Sequence, residues 1–440
     1  PTGDVLGKRT PLESTQAPSN GTIGMLAVTL LSEFRRVVRP LNDVLLTALE
    51  ASEKLEASNH IAAVVGGAVR DILLCRDVRD ADVATSATLD EIVSLWPECK
   101  VIGRPPRATA LLDMGGVKLD IAPIQGDSLE EDLARRDLTI NSMAMTADGE
   151  ILDPWGGAAD IASGTLRFTG EPEDRLKEDP LRALRLARFA ATLRHFSVDQ
   201  ASAEACQPFA PDLASVPLPR VGREVLFAIR EDLPLFLDSL EYLGILGSVL
   251  PFIGNHISPE RSETFRRVSV AAGMSADPGI RAAALMADAG EKTRMIAASW
   301  GWPGNLVRDI ESLAKWSSLT RHRMDSEPFV RLFRKKGSEW MDRLFLLGLV
   351  DCLAGHRDEL GAWTANRIRS AVYSQRLKRF PEMITGKDII AGAGAESGPL
   401  VGEALSALYR AIAEGAIEDR EGALLWAASW IRNGGHELFF

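Results

Sequence analysis

The chain has 440 residues, 46% of them hydrophobic and 25% charged, with a formal net charge of −11 at pH 7. That length exceeds what one hydrophobic core organises and implies two to four domains of ordinary globular composition. No apolar run reaches the roughly 18–20 residues that span a bilayer, which excludes a helical membrane protein, and four scattered cysteines exclude a disulfide framework or a zinc site.

The opening stretch, PTGDVLGKRTPLESTQAPSNG, has no basic-then-apolar leader pattern and reads as a disordered extension over residues 1–25. GMLAVTLLSEF (24–34) is short for a span and meets a charge at Glu33. Unpaired cysteines point to a reducing, cytoplasmic setting. HIAAVV (60–65) is a compact apolar strand that ends at Gly66-Gly67, and AVRDILLCR (68–76) has helical spacing. VRDADVAT (78–85) alternates as a strand, and TLDEIVSLW (88–96) returns to helical period. TALLDM (109–114) and VKLDIAPI (117–124), parted by Gly115-Gly116, predict a hairpin. Residues 26–157 therefore form a mixed α/β domain. From about residue 175 onward helical period dominates, as in DPLRALRLARFAATL (179–193), REDLPLFLDSLEYLGIL (230–246), GIRAAALMADAG (279–290) and VGEALSALYRAIAEG (401–415). The acidic balance argues against a nucleic-acid binder, but residues 301–387 carry 16 Lys and Arg against 10 Asp and Glu. Such a patch is compatible with a polyanion and equally with solvated helix faces.

Asp80 and Asp82 are two apart on an extended segment, so both carboxylates point to one face. They repel unless a cation joins them, and hard oxygen donors suit Mg²⁺. Asp120, on the polar face of VKLDIAPI, is the candidate third carboxylate. Alone, D-x-D is more often a solvent-facing pattern than a site. Gly66 and Gly67 can serve a turn that needs positive φ, or leave bare backbone that approaches phosphates beside Arg70. Asp179 and Arg182 stand at i and i+3 with Arg185 at i+6, along one helix face. An aspartate accepts and an arginine donates, which suits the polar edge of a base. Asp179-Pro180 also reads as a helix start, and Glu178 with Arg182 as a surface i, i+4 pair. Together, glycines and Arg70 for a triphosphate and carboxylates for two metal ions describe nucleotidyl transfer.

GGAVRD (66–71), DAD (80–82), RRDLTINSMA (135–144), DPWGG (153–157) and EDPLRALR (178–185) stand in the order found in class II CCA-adding tRNA nucleotidyltransferases and the related bacterial poly(A) polymerases. The chain resembles that family over residues 60–190, and ITGKDII (384–390) is similar to its C-terminal region. The resemblance implies an α+β fold: a polymerase-β-like head (26–157) followed by an all-α neck (158–225), body (226–300) and tail (301–440), the tail gripping tRNA. It implies Asp80 and Asp82 as metal ligands, with two Mg²⁺ ions, while Asp120 as a further catalytic carboxylate rests on its strand face and order. Gly66, Gly67 and Arg70 would contact the triphosphate, and Arg136, Asp137 and Asn141 triphosphate and ribose. Asp179, Arg182 and Arg185 would read the base in place of a template.

Two departures stand out. Cys75 occupies a position where the family usually has glycine, and as a small residue is expected to change little. GRPPRATALL (103–112) matches the family's flexible stretch only loosely, which leaves nucleotide choice open. The expected activity is addition of CMP, CMP and AMP from CTP and ATP to a tRNA 3′ end. The alternatives are poly(A) addition, a partial enzyme adding only CC or only A, and a non-catalytic RNA-binding protein. Oligomeric state, monomer or homodimer, is left open.

Overall fold

The computed structural model describes residues 42–104, 108–253, 263–379, 384–394, 396–433 and 435. The expected extension over 1–25, the run 24–34 and residues 105–107 of the divergent stretch lie outside them. No helix among the described residues is long and apolar enough to cross a membrane. The chain divides into two compact units. One holds the residues up to Leu133 together with Met143–Asp153; the other holds Ala134–Ser142 together with everything from Pro154 onward.

The first unit is a seven-stranded mixed sheet with helices. Its elements are α1 (Asp43–Ala57), β1 (Ala62–Val65), α2 (Gly67–Leu73), β2 (Ala81–Thr85), α3 (Leu89–Leu95), β3 (Lys100–Ile102), β4 (Thr109–Met114), β5 (Val117–Pro123), α4 (Leu129–Ala134), β6 (Ala144–Met145) and β7 (Ile151–Leu152). The strand order is β3-β4-β5-β2-β1-β6-β7. Only β2 and β5 pair in parallel; every other neighbouring pair is antiparallel. The Gly115-Gly116 hairpin forms as the sequence predicts, with φ of 63° and 92°, the left-handed pair of a tight two-residue turn. Ala81, Val83, Leu119 and Ile121 are buried on one face of the β2–β5 pair, and α1 packs on β1, β2 and β5. Local capping sets the helix starts: Asn42 accepts from the Leu45 N–H, and Thr88 with Glu91 closes a capping box on α3.

Cys75 departs from its expected neutrality. Helix α2 ends in a Schellman motif, in which the Arg76 N–H donates to the Asp71 carbonyl and the Cys75 N–H to that of Ile72. That geometry places Cys75 at φ 54°, the left-handed region where a Cβ crowds the backbone. The position favours glycine for its dihedral, not its size. Cys75→Gly is therefore expected to stabilise the protein by about 1 kcal/mol, read as a rise in the urea midpoint of the first unit; an unchanged or lower midpoint contradicts it.

The second unit is almost wholly helical. The segment 134–142 belongs to it: Leu138 bridges to Phe168, and the Thr139 and Thr169 N–H groups donate to the Arg167 and Asp137 carbonyls. There follow α5 (Gly157–Ser163), β8 (Thr165–Leu166), α6 (Pro172–Glu178), α7 (Leu181–Thr192), β9 (Ser197–Val198), α8 (Gln200–Cys206) and α9 (Leu218–Arg230). The short parallel β8–β9 pair is a strand element inside a region expected to be purely helical. Its register of two residues is too short for periodicity to reveal. Helices continue to Arg432, among them Leu233–Tyr242, Pro278–Met286, Ser326–Lys336 and Pro399–Glu414, with prolines at several N-termini. Helix α9 is locked by close packing. A Cβ at Gly222 would lie 2.3 Å from Trp300 Cβ and from its carbonyl oxygen, and Trp302 Nε1 donates to the Gly222 carbonyl at 2.8 Å.

Candidate active site

In the first unit the carboxylates collect at one end of the sheet. Asp82 is on β2 and its register partner on the parallel strand β5 is Asp120. Asp80 stands just before β2, which begins at Ala81 rather than at residue 78. Asp80 and Asp82 are exposed, and Asp120 is half-buried. Burial, and then the charge of Asp80, push the Asp120 carboxyl above its ordinary value. Asp80 and Asp120 therefore feel one another, although 40 positions separate them in sequence. Among the described residues no group of three His, Cys, Asp or Glu side chains is gathered into a formed metal cage. The donor chemistry nevertheless fits a small hard cation: oxygen only, negatively charged and accessible.

The register of β1 against β2 pairs Val65 with Asp82 and so carries Gly66-Gly67 to the same end as the aspartates. Gly66 has φ 71° and ψ −126°, a conformation closed to other residues, and its N–H donates to the Met143 carbonyl. A Cβ at Gly67 would meet Arg70 Nη2 at 3.4 Å, an ordinary contact, so the guanidinium lies close over the turn. Arg70 bonds Asp71 Oδ1 through Nε and Nη2 at 3.0 and 2.9 Å. The first unit thus places the glycine turn, with Arg70 on the helix that follows it, at the sheet end that carries Asp82.

In the second unit the remaining predicted residues form a connected polar network. Asp137 is buried; its oxygens accept from Arg185 Nε at 2.6 Å, Asn141 Nδ2 at 3.0 Å and the Leu138 N–H at 2.8 Å. Burial alone would raise the Asp137 carboxyl, but the Arg185 guanidinium and these donors hold it far below the ordinary carboxylate range. Arg136 precedes it, half-buried. Arg182 Nη1 donates to Glu178 Oε2 at 2.8 Å and to the Arg175 carbonyl at 3.1 Å, and its Nη2 to the Arg135 carbonyl at 2.6 Å. The i, i+4 pair of Glu178 and Arg182 exists, yet it does more than decorate a surface, because the same guanidinium also ties down residue 135. Asp179 caps the start of α7 as its sequence suggests, with Pro180 helical behind it and the Arg182 N–H donating to the Asp179 carbonyl at 3.0 Å. It is extended, at φ −156°, between α6 and α7, and Oδ1 accepts from the Leu181 N–H at 3.2 Å.

Sequence reasoning missed four members of this network, Arg175, Arg188, Arg220 and Glu224. Arg175 donates to the Ala134 carbonyl and to Glu178. Arg220, on α9, meets Asp179 with Nη2–Oδ2 at 2.6 Å and Nη1–Oδ1 at 3.3 Å. Glu224, one turn further on and buried, pairs with Arg188 and lies 3.6 Å from Arg185. The available signal was an Arg and a Glu four apart on an otherwise apolar helical run, a pattern shared with countless surface pairs.

Residues 62–125 and 120–167 match the family described as Poly A polymerase head domain. The CCA-adding enzyme of Geobacillus stearothermophilus is 28% identical over 427 residues, spanning 86% of this chain and 95% of that protein. The CC-adding tRNA nucleotidyltransferase of Halalkalibacterium halodurans is 40% identical over 185 residues, 42% of this chain; the chain spans about half (48%) of that relative's length. Among solved structures, the Bacillus stearothermophilus CCA-adding enzyme in complex with CTP superposes with a TM-score of 0.68 at 26% identity, covering 89% of this chain and 99% of that one. The Thermotoga maritima CCA-adding enzyme complexed with tRNA_CCA shares the fold, with a TM-score of 0.65 at 21% identity over 92% of this chain and 98% of that one. Fold and comparisons together define a nucleotidyltransferase with a mixed-sheet head and a helical remainder. The head-domain match, together with the CCA-adding relatives aligned along most of the chain, makes it similar to the class II CCA-adding tRNA nucleotidyltransferases and bacterial poly(A) polymerases.

Proposed function

We propose that this protein is a tRNA nucleotidyltransferase that adds CMP, CMP and AMP, from CTP and ATP, to the tRNA 3′ end without a template and with release of pyrophosphate. The observation that carries this reading is the match to CCA-adding enzymes along nearly the whole chain, head and helices alike. Enzymes of this family are in general metal-dependent. Asp80 and Asp82 would hold the metal, which we take to be two Mg²⁺ ions, with Asp120 as the third carboxylate. Bound there, Mg²⁺ supplies activation of the tRNA hydroxyl and charge neutralisation at the pyrophosphate.

The chain's own residues do the rest. Gly66, Gly67 and Arg70 bind the triphosphate, the glycines by exposing backbone and the arginine by charge. Arg136, Asp137 and Asn141 serve triphosphate and ribose, with Asp137 also anchoring Arg185. Asp179 and Arg182 read the base. Arg182 has five donor hydrogens, three of them used among the described residues, so Nε–H and one Nη2–H remain. Asp179, an ion-paired carboxylate, only accepts. Cytosine offers an amino donor beside a ring-nitrogen acceptor, and adenine offers the same order on its Watson–Crick edge. Uracil and guanine present the reverse, a carbonyl acceptor beside a ring N–H donor, and would face acceptor with acceptor and donor with donor.

A second reading, addition that stops at CC, is favoured by the CC-adding relative. The test is to incubate the protein and Mg²⁺ with tRNAs ending before CCA, after C and after CC, offering CTP, ATP or both, and to sequence the products. Growth that stops at CCA is expected. Growth that stops at CC selects the second reading, long oligo(A) makes the chain a poly(A) polymerase, and no extension leaves a non-catalytic RNA-binding protein.

A further inference from the structure

We propose that Arg220 is a positioning residue for nucleotide selection: it fixes the Asp179 carboxylate so that a single acceptor position remains for the incoming base. The proposal rests on the reading of Asp179 as a base reader.

A carboxylate has about four acceptor positions, two on each oxygen. Among the described residues, Oδ1 of Asp179 accepts from the Leu181 N–H at 3.2 Å and Arg220 Nη1 at 3.3 Å, which fills it. Oδ2 accepts from Arg220 Nη2 at 2.6 Å, which leaves one position. One position accommodates one exocyclic amino group, N4 of cytosine or N6 of adenine. The forked guanidinium also holds both oxygens at once, and so resists rotation of the carboxylate about its terminal bond.

The fork itself has a fixed base. Arg220 is in the first turn of α9, and the Gly222 contact with Trp300 sets where that turn lies. Glu224, four residues on and one turn along the same face, engages Arg185 and Arg188 of α7. Arg188 also lies over the Phe189 and Phe227 rings, 4.1 and 5.6 Å from their centroids. Helix α9 thus holds the reader set of α7 at both ends. Without Arg220 the carboxylate keeps only the Leu181 N–H, turns more freely and regains two acceptor positions that water fills. A water bound there can donate to the carbonyl of uracil or guanine, which the fixed carboxylate rejects.

The Arg220 side chain is 40% exposed, so its ion pair contributes little to stability and its loss is tolerable to the fold. A merely structural pair would therefore move the melting temperature slightly and selectivity not at all. The experiment measures kcat/KM for CTP, ATP, UTP and GTP on truncated tRNA with the full-length Arg220→Met, Arg220→Lys and Asp179→Asn variants, each checked by thermal melting. For Arg220→Met the ratio of UTP to CTP incorporation is expected to rise about tenfold, with Arg220→Lys in between because it restores charge but not the fork. An unchanged ratio in Arg220→Met, while Asp179→Asn shifts it, overturns the proposal alone. Unchanged ratios in both overturn the reading of Asp179 as well. Should Arg220→Met not fold, Arg220→Lys decides: wild-type selectivity rejects the proposal, and a shifted ratio supports it.

Discussion

Asp82→Asn is expected to lower nucleotide addition by about 10³-fold or more while leaving the protein folded. The side chain is exposed at the sheet end, and its register partner is another carboxylate, Asp120. Asparagine keeps the shape and removes one charge from the row of Asp80, Asp82 and Asp120. Function falls, because the amide oxygen is a weaker donor to a divalent cation than a carboxylate. The measurement is single-turnover extension of a truncated tRNA, with the melting temperature alongside. Glu53→Gln, an exposed change on α1, serves as the control expected to keep full activity. Wild-type rates in Asp82→Asn would remove the carboxylate row from the chemistry.

The second large effect concerns Asp137. Asp137→Ala strips the partner from Arg185 Nε, from Asn141 and from the Leu138 N–H in a buried setting. Breaking a buried pair from one side costs about 3 kcal/mol, and Arg185 keeps only the longer contact to Glu224. The first thermal transition of the second unit should fall accordingly, and less in Asp137→Asn, which retains the shape. The pH dependence follows from the sign of the shift. Burial raises the carboxyl and Arg185 overrules it, so the folded group titrates well below its ordinary 3.8. Such a group contributes stability that is fully present above the ordinary value and is lost as pH falls below it toward the folded one. Between pH 7 and 5 wild type and Asp137→Asn should therefore differ by a constant amount. Below about pH 4 the gap should close; a gap that narrows already at pH 6 would point to another group.

What the chain order reveals and what it hides differ for one physical reason. Side-chain alternation, helical period, turn glycines and capping are local, so the Gly66-Gly67 turn, the Gly115-Gly116 hairpin and the long helical remainder were all legible from neighbouring residues. Even the glycine preference at Cys75 is a local dihedral requirement, but it depends on where α2 ends, and helix ends are the least legible feature of a sequence.

Pairings across the fold carry no such local signature. Asp82 opposite Asp120 requires the one parallel contact in the sheet, between strands separated by a crossover. Arg220 reaches Asp179 from 41 positions away, and Arg185 reaches Asp137 across 48. By itself the sequence determined the kind of chemistry, since residue types and their short spacings encode donors, acceptors and bare backbone. Only the tertiary structure decided which carboxylate is hemmed in and which arginine holds which acid, because packing of distant segments, not spacing along the chain, sets those distances.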